Sequence, residues 1–187
     1  MISSHLVGLK SSTSASMKNL YTLWMIPPPE IKKVLEDVIR ELGDKYKGPY
    51  FEPHMTLLGN IPCSKEDAVE KTKILCKDIK PFEISLGEIS FSTTYFQSVF
   101  VRIKCSASLM ESNLKAKEVF KLENDLFMPH MSLIYGDHQM KLRENIASEV
   151  KLPANLSFKV KKLVVTPCTN DPKDWIHLAE INLAFGS

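Results

Sequence analysis

The sequence predicts an α+β fold of two similar lobes related by a pseudo-twofold axis, each an antiparallel sheet backed by helices. Strand-like and helix-like segments alternate along the chain, and the order strand, helix, strand loosely repeats after Tyr95. In addition, residues 53–57 read Pro-His-Met-Thr-Leu and residues 129–133 read Pro-His-Met-Ser-Leu. The two histidines, 54 and 130, stand 76 residues apart, which suits half of an internally duplicated domain. We therefore expect one shared site in the cleft between the lobes.

The first half of the chain carries clear signals for strands and helices. The aromatic and β-branched run at 20–26 is typical of a strand, and three prolines follow it. Apolar residues at three-to-four spacing from Pro29 predict a helix that Gly43 stops. Ser64, followed three residues later by Asp67, predicts the start of a second helix. The remaining predicted boundaries are a motif strand at 49–59, the end of the second helix near 78, and strands at 82–91 and 95–104.

The second half repeats this alternation. Leu142, Ile146 and Val150 recur at four-residue intervals and predict an amphipathic helix over 139–150. The other predicted elements are a helix at 107–122, a motif strand at 129–136, and strands at 156–166 and 174–183 around a turn at 170–172.

Composition indicates an ordinary globular protein. The chain has 187 residues, 44% hydrophobic residues and a net charge of +2, enough for a sizeable core but not for a long nucleic-acid footprint. It has no apolar run of membrane-spanning length, so we expect no membrane association. Residues 1–17 are serine-rich and lack acidic residues, as in a disordered extension or an organelle-targeting segment, and residues 18–187 are expected to form the domain. The four cysteines show no Cys-x-x-Cys pairing, which favours reduced thiols and a cytoplasmic location.

The repeated pattern places an imidazole beside a hydroxyl. Side chains alternate along a strand, so His54 shares a face with Thr56, and His130 shares a face with Ser132. The intervening methionines then belong to the core. A proline before each histidine fits the first residue of a strand. Two such strands facing each other would present two imidazoles and two hydroxyls to one ligand.

These residues resemble the 2H phosphoesterase superfamily, in which the pattern His-x-Thr/Ser-x occurs twice. The stretch from Phe127 to Asp137 is most similar to the small cyclic phosphodiesterases of plants and yeasts, and the resemblance covers about residues 20–183. It implies a LigT-like bilobal fold. It also implies that Tyr135, at an aromatic position of the motif, lines the pocket, and it leaves open a disulfide such as that between Cys76 and Cys168.

Two imidazoles and two hydroxyls suffice for opening a cyclic phosphodiester. The reaction needs a base for water, an acid for the leaving oxygen and donors for the phosphoryl oxygens. A free imidazole titrates at about 6.5, so one histidine can serve as acid and the other as base without a metal. We expect Thr56 and Ser132 to bind the phosphate. The motif order leaves the two histidine roles open, with a weak preference for His130 as base and His54 as acid.

Other histidines and aromatic residues are given simpler interpretations. His5, His138 and His177 are expected to have no catalytic role. Three aromatic residues could stack on a nucleobase but are expected in the core, namely Trp24, Tyr95 and Phe96. A metal site at His54 and His130 lacks a third ligand at a recognisable spacing, so no metal and no cofactor are expected.

The resemblance implies a metal-independent cyclic phosphodiesterase. Its expected substrates are ADP-ribose 1″,2″-cyclic phosphate and nucleoside 2′,3′-cyclic phosphates, opened to a 1″- or 2′-monophosphate, which would connect the enzyme to by-products of tRNA splicing. Two alternatives remain: processing of 2′,3′-cyclic phosphates at RNA 3′ ends, and a non-catalytic module that binds nucleotides or RNA. A P-loop kinase is excluded because the chain has no Gly-x-x-x-x-Gly-Lys-Ser/Thr. We expect a monomer.

Overall fold

Short amphipathic segments fold into eight strands and four α-helices in the described part of the chain. The structure is a computed structural model that describes residues 19–123 and 126–184, so the expected N-terminal extension at 1–17 lies outside the described residues. In chain order the elements are β1 (Leu20–Met25), α1 (Pro29–Tyr46), β2 (Met55–Pro62), α2 (Lys65–Lys77), β3 (Phe82–Phe91), β4 (Val99–Ile103), α3 (Ala107–Phe120), β5 (His130–Ile134), α4 (Met140–Glu149), β6 (Ser157–Val160), β7 (Lys162–Pro167), a 3-10 turn (Pro172–Asp174) and β8 (Ala179–Asn182).

All eight strands form one antiparallel sheet in the order β6-β3-β4-β5-β2-β1-β7-β8. The two motif strands, β2 and β5, are neighbours at its centre, where Met55 pairs with Met131. Both methionine side chains are fully buried, as expected for core residues. The sheet thus consists of two four-stranded halves, and the predicted α+β fold with two lobes is confirmed.

The helices cross over between the two halves. Helix α1, which precedes β2 in the chain, packs against β5, and α3, which precedes β5, packs against β2. Helix α4 covers β3 and β4, whereas α2 covers β7 and β8. Each half of the sheet is therefore backed by two helices, and each motif strand is held from behind by the helix that leads to the other one.

Helix starts follow the sequence signals more closely than helix ends. The Ser64 hydroxyl accepts a hydrogen bond from the Asp67 backbone N–H at 3.0 Å, so the predicted capping residue of α2 is confirmed. The prediction that Gly43 stops α1 is wrong, because the helix continues to Tyr46 and ends at Lys47 in the left-handed conformation, with φ 62°. Gly43 instead allows close packing, since a Cβ there would approach the Tyr50 ring to 3.0 Å.

Four predicted strands have different boundaries in the structure. The predicted strand at 156–166 is two strands, because β6 pairs with β3 at one edge of the sheet while β7 pairs with β1 in the other half. The strand expected at 95–104 begins only at Val99, and the first motif strand begins at Met55 rather than at residue 49. The strand expected at 174–183 is a 3-10 turn followed by the short strand β8.

The four cysteines form no disulfide in the structure. All four cysteines are free, so the Cys76–Cys168 disulfide left open by the resemblance is absent. The Cys76 sulfur lies 3.7 Å from the Ile181 carbonyl oxygen, whereas that of Cys168 lies 3.5 Å from Asn60 Oδ1. Within the described residues, no helix is both long and apolar enough to cross a membrane.

Candidate active site

The two motifs converge on one cavity at the centre of the sheet. It has a volume of about 340 Å³. All five residues that the sequence predicts for a site line it, namely His54, Thr56, His130, Ser132 and Tyr135. Its other described lining residues are Thr22, Trp24, Gly59, Asn60, Phe96, Gln97, Pro167, Cys168, Thr169, Asn170 and Trp175. None of the described lining residues is an aspartate, glutamate, lysine or arginine.

Both histidines are held in the same way. Nδ1 of His54 lies 2.7 Å from the Glu52 carbonyl oxygen, and Nδ1 of His130 lies 2.8 Å from the Met128 carbonyl oxygen. A carbonyl oxygen only accepts, so Nδ1 donates in both cases and carries the proton of the neutral ring. Nε2 of each imidazole is therefore left with a lone pair. In each motif, the acceptor belongs to the residue two positions before the histidine.

The surroundings of His54 are aromatic and dry. The Trp24 indole stacks on its imidazole with ring centroids 3.7 Å apart and an interplanar angle of 15°. Trp175 and Phe51 meet the ring edge-on at 5.6 Å and 6.5 Å. Burial among these rings lowers the pKa of His54 to about 4, and repulsion from His130 acts in the same direction. His54 is therefore neutral across the physiological range in the free protein.

His130 has a more open and more polar neighbourhood. It is half-buried, the Phe100 ring meets its imidazole at 5.1 Å, and it pairs across strands with Arg102. Burial and the Arg102 charge both lower the pKa of His130, while its hydrogen bond to the Met128 carbonyl opposes this effect. His130 is the more exposed of the two imidazoles, so solvent can better stabilise its protonated form, which favours roles opposite to the weak preference drawn from the sequence.

The two motif hydroxyls differ in their hydrogen bonding within the protein. Ser132 Oγ donates a 2.8 Å hydrogen bond to the Phe96 carbonyl oxygen. The Thr56 hydroxyl has no hydrogen-bond partner within residues 19–123 and 126–184. Thr56 can therefore donate to a ligand without breaking a bond inside the protein, whereas Ser132 must first release Phe96.

Tyr135 follows the last residue of β5 and turns into the cavity wall. Its ring stacks on Phe51 at 3.9 Å and is only 3% exposed. Burial raises the pKa of its phenol above the ordinary value, and the neighbouring Ser132 hydroxyl opposes this effect. The Tyr135 hydroxyl is thus a neutral hydrogen-bond donor at the edge of the site.

Aromatic side chains from three separate segments complete the cavity. Trp24 comes from β1, Phe96 from the β3–β4 loop and Trp175 from the segment before β8. The core assignment is therefore wrong for Phe96 and incomplete for Trp24, which is only 2% exposed but also lines the cavity. Tyr95 packs on Phe96 at 4.9 Å and does not line the cavity, but it is 38% exposed, so the core assignment is wrong for it as well. Sequence reasoning missed Trp175 because its segment was assigned to a strand.

A buried arginine fixes the loop that delivers Phe96. The Arg143 side chain, from α4, is 2% exposed and donates hydrogen bonds to four backbone carbonyls. These belong to Ser92, Thr94, Gly136 and His138, at distances of 2.7 to 3.2 Å. The guanidinium ties the β3–β4 loop to the turn after β5, so one side chain holds two loops that lie beside the second motif.

The comparisons with known proteins agree with this geometry. A family model described as cyclic phosphodiesterase-like protein matches residues 20–183. The chain belongs to this family. A cyclic phosphodiesterase of Arabidopsis thaliana is 25% identical to it over 176 residues, covering 89% of this chain and 96% of that protein. The expected membership of the 2H phosphoesterase superfamily and the expected enzyme class, a cyclic phosphodiesterase, are thereby confirmed.

Solved structures show the same fold at low identity. The crystal structure of TT0787 of Thermus thermophilus has a TM-score of 0.61 at 16% identity, covering 90% of this chain and 100% of that chain. Escherichia coli LigT in complex with 3′-AMP has a TM-score of 0.59 at 14% identity, covering 90% and 99%. The cyclic phosphodiesterase fold predicted from the duplicated motif is LigT-like, as expected.

The remaining histidines of the described chain lie outside the cavity of this family member. His138 contacts Ser98 Oγ at 3.1 Å and packs against Gly136, where a Cβ would come within 2.3 Å of its ring. His177 lies between Glu52 and Glu180. His5 is outside the described residues. Among the described residues, no group of three or more His, Cys, Asp or Glu side chains is arranged to hold a metal ion.

Proposed function

We propose that this protein hydrolyses ribose cyclic phosphates to phosphomonoesters by acid and base catalysis at His54 and His130, without a metal. The proposed substrates are nucleoside 2′,3′-cyclic phosphates and ADP-ribose 1″,2″-cyclic phosphate. The observation that carries the proposal is the pair of imidazoles at one cavity, each with Nδ1 anchored and Nε2 free, and each with a hydroxyl two residues further along its strand.

His54 is proposed as the base. Its Nε2 takes a proton from water while the water oxygen forms a bond to phosphorus. A base must be neutral before it acts, and burial lowers the pKa of His54 to about 4, so the lone pair is present at neutral pH. Stacking on Trp24 and the hydrogen bond to Glu52 hold the ring in one orientation.

His130 is proposed as the acid. As the bond from phosphorus to the leaving ribose oxygen breaks, protonated Nε2 of His130 gives its proton to that oxygen. The described lining offers no lysine or arginine, so the bound phosphate anion has no competing cation and favours protonation of the more exposed imidazole. One water is consumed, the phosphodiester becomes a monoester, and the two protons exchange with solvent before the next turnover.

Thr56, Ser132 and Tyr135 are proposed to bind the phosphoryl oxygens. A transition-state oxyanion is stabilised by donors that are already in place, and the Thr56 hydroxyl meets this requirement directly. Ser132 and Tyr135, which follow His130 in the second motif, also line the cavity and supply two further hydroxyls. Trp24, Phe96 and Trp175 offer flat apolar surfaces for a base or a ribose.

The ligands of structurally similar proteins support a nucleotide-sized substrate. Structures of E. coli LigT are described as complexes with phosphate, 3′-AMP, ATP and NADP+. The cavity of about 340 Å³ lies in the range of small-molecule sites. Among the expected ligands, we therefore favour a small cyclic nucleotide or ADP-ribose cyclic phosphate over long RNA.

The proposal is tested by hydrolysis of 2′,3′-cyclic AMP and ADP-ribose 1″,2″-cyclic phosphate in excess EDTA, with phosphorus NMR of the products. We expect chelator-resistant turnover that yields a 2′- or 1″-monophosphate. The control is His54→Asn, whose shorter amide retains a donor for the Glu52 carbonyl but has no group equivalent to Nε2.

Turnover that EDTA abolishes and zinc restores would contradict the metal-independent mechanism. Turnover confined to oligonucleotides with a 2′,3′-cyclic end would move the substrate to RNA ends. Binding of 2′-AMP without hydrolysis of any of these substrates would leave a non-catalytic binding module.

A further inference from the structure

Trp175 reaches the cavity from a segment with little packing of its own. It lies between the 3-10 turn at 172–174 and β8, and the adjacent Ile176 is 60% exposed. The Trp175 ring nevertheless meets two cavity rings almost perpendicularly, Trp24 at 5.4 Å and His54 at 5.6 Å. Its Nε1 donates to the Thr169 carbonyl oxygen at 2.9 Å within the same loop. Besides these ring contacts, a polar contact ties the Trp175 loop to the first motif.

His177 supplies that contact. Its Nε2 lies 2.6 Å from Glu52 Oε2, and its Nδ1 lies 3.0 Å from Glu180 Oε1. Carboxylate oxygens only accept hydrogen bonds, so both bonds form when both ring nitrogens carry a proton, and the protonated imidazole then bridges two carboxylates. The bridge joins the Trp175 segment to the approach to the first motif strand on one side and to β8 on the other.

Glu52 connects this bridge to the first catalytic histidine. Its backbone oxygen accepts the hydrogen bond from His54 Nδ1, while its carboxylate accepts from His177 and Lys32. Burial alone would raise the pKa of Glu52, but the hydrogen bonds from Lys32 and His177 lower it. One residue thus holds the His54 ring through its main chain and the Trp175 segment through its side chain.

We propose that His177 is a positioning residue that, by bridging Glu52 and Glu180, holds Trp175 against His54 and so forms the aromatic wall on which the substrate's base or ribose lies. The kinetic part of this inference rests on the function proposed above. The side chains of His177 and Glu52 are 29% and 24% exposed, and partly exposed ion pairs add little to global stability. The bridge therefore acts on the local position of Trp175 rather than on folding.

The test compares His177→Ala with Lys162→Gln. The latter removes the other cation on Glu180 but leaves the contact between His177 and Glu52 intact. For His177→Ala, we expect the KM for 2′,3′-cyclic AMP to rise about fivefold, with kcat within about twofold of wild type. His177→Gln, which keeps one donor, is expected to recover part of the loss. Lys162→Gln is expected to match wild type.

A fluorescence measurement tests the position of Trp175 without relying on turnover. The chain has two tryptophans, so Trp24→Phe leaves Trp175 as the single emitter. In that background we expect His177→Ala to shift the emission to longer wavelength and to increase quenching by acrylamide, whereas Lys162→Gln changes neither.

The possible outcomes separate the two proposals. Unchanged emission in His177→Ala would overturn the inference, and so would changed emission with an unchanged KM. A wild-type protein that hydrolyses no cyclic phosphate would overturn the proposed function, while the fluorescence pair would still decide whether His177 positions Trp175.

Discussion

The two motif strands carry nearly the same five residues, but they place their histidines in different surroundings. Each imidazole has Nδ1 fixed by a carbonyl two residues earlier. His54 is then enclosed by Trp24, Trp175 and Phe51, whereas His130 stays half-buried beside an arginine. The repeated pattern therefore supplies two equivalent groups, and the neighbouring elements make them unequal.

The two motif hydroxyls are also unequal, because only one of them has a hydrogen-bond partner in the described chain. Thr56 is free of protein partners in the described chain, while Ser132 is bonded to the loop that carries Phe96. A reaction that needs a neutral base and a protonated acid benefits from this inequality, because identical imidazoles would compete for the same proton. We expect the asymmetry to appear in activity, stability and titration.

The largest effect is expected from removing either imidazole. His54→Asn and His130→Asn each retain a donor near the anchoring carbonyl but lose Nε2, so hydrolysis of 2′,3′-cyclic AMP should fall by about 10³-fold. Initial rates measured by chromatography, with thermal unfolding as the control for folding, check this expectation. Residual activity within tenfold of wild type in either variant would rule out the two-histidine mechanism.

The two hydroxyls provide a smaller and unequal effect. Thr56→Val removes a donor that has no other partner, and kcat/KM should fall by about 10²-fold. Ser132→Ala removes a donor already engaged with Phe96 and should cost less activity, while its thermal midpoint falls because the β3–β4 loop loses a tether. Equal losses of activity would show that the hydroxyls are equivalent in the working enzyme.

The buried state of His54 should make stability depend on pH. The unfolded chain binds the imidazole proton below about pH 6.5, whereas the folded chain binds it only below about 4. The free energy of unfolding should therefore decrease as the pH falls through this window, with His54 contributing about 3 kcal/mol at most. Urea unfolding of wild type and His54→Asn between pH 4 and 7 measures the difference, and parallel curves would contradict the assignment.

The smallest expected effect concerns the arginine beside His130. Arg102 is exposed, lies across the strand pair from His130, and donates to Ser90 Oγ at 3.3 Å. Arg102→Gln should raise the pKa of His130 and leave that of His54 unchanged. Arg40→Gln, which removes the same charge at an exposed position of α1, is the matched control. A shift of the same size in both histidines would show that the charge acts on the whole cavity.

The sequence was most informative where the local signal is also the structural cause. The repeated motif placed His54, Thr56, His130 and Ser132 correctly on the cavity side, because alternation along a strand depends on backbone geometry alone. Ser64 marked the start of α2 for a similar reason, since its hydroxyl bonds to a backbone N–H three residues away.

What the sequence could not provide depends on distant contacts. The break at Lys161, which sends β6 and β7 to different halves of the sheet, has no local turn signal. Gly43 was misread because its role is to let Tyr50 approach, and that contact exists only in the folded chain. His177 contacts Glu52 and Trp175 contacts Trp24 and His54, all more than a hundred residues earlier in the sequence. The inequality of the histidines is likewise a tertiary effect.

The most direct test of this account is an NMR titration of the histidine ring nitrogens, with long-range proton–nitrogen spectra assigned by His54→Asn and His130→Asn. We expect both rings as Nδ1–H tautomers at pH 7, with His54 titrating near pH 4 and the pKa of His130 lowered from the ordinary imidazole value by burial. Two histidines titrating together near 6.5, or a lower pKa at His130 than at His54, would contradict the assignment of His54 as base and His130 as acid.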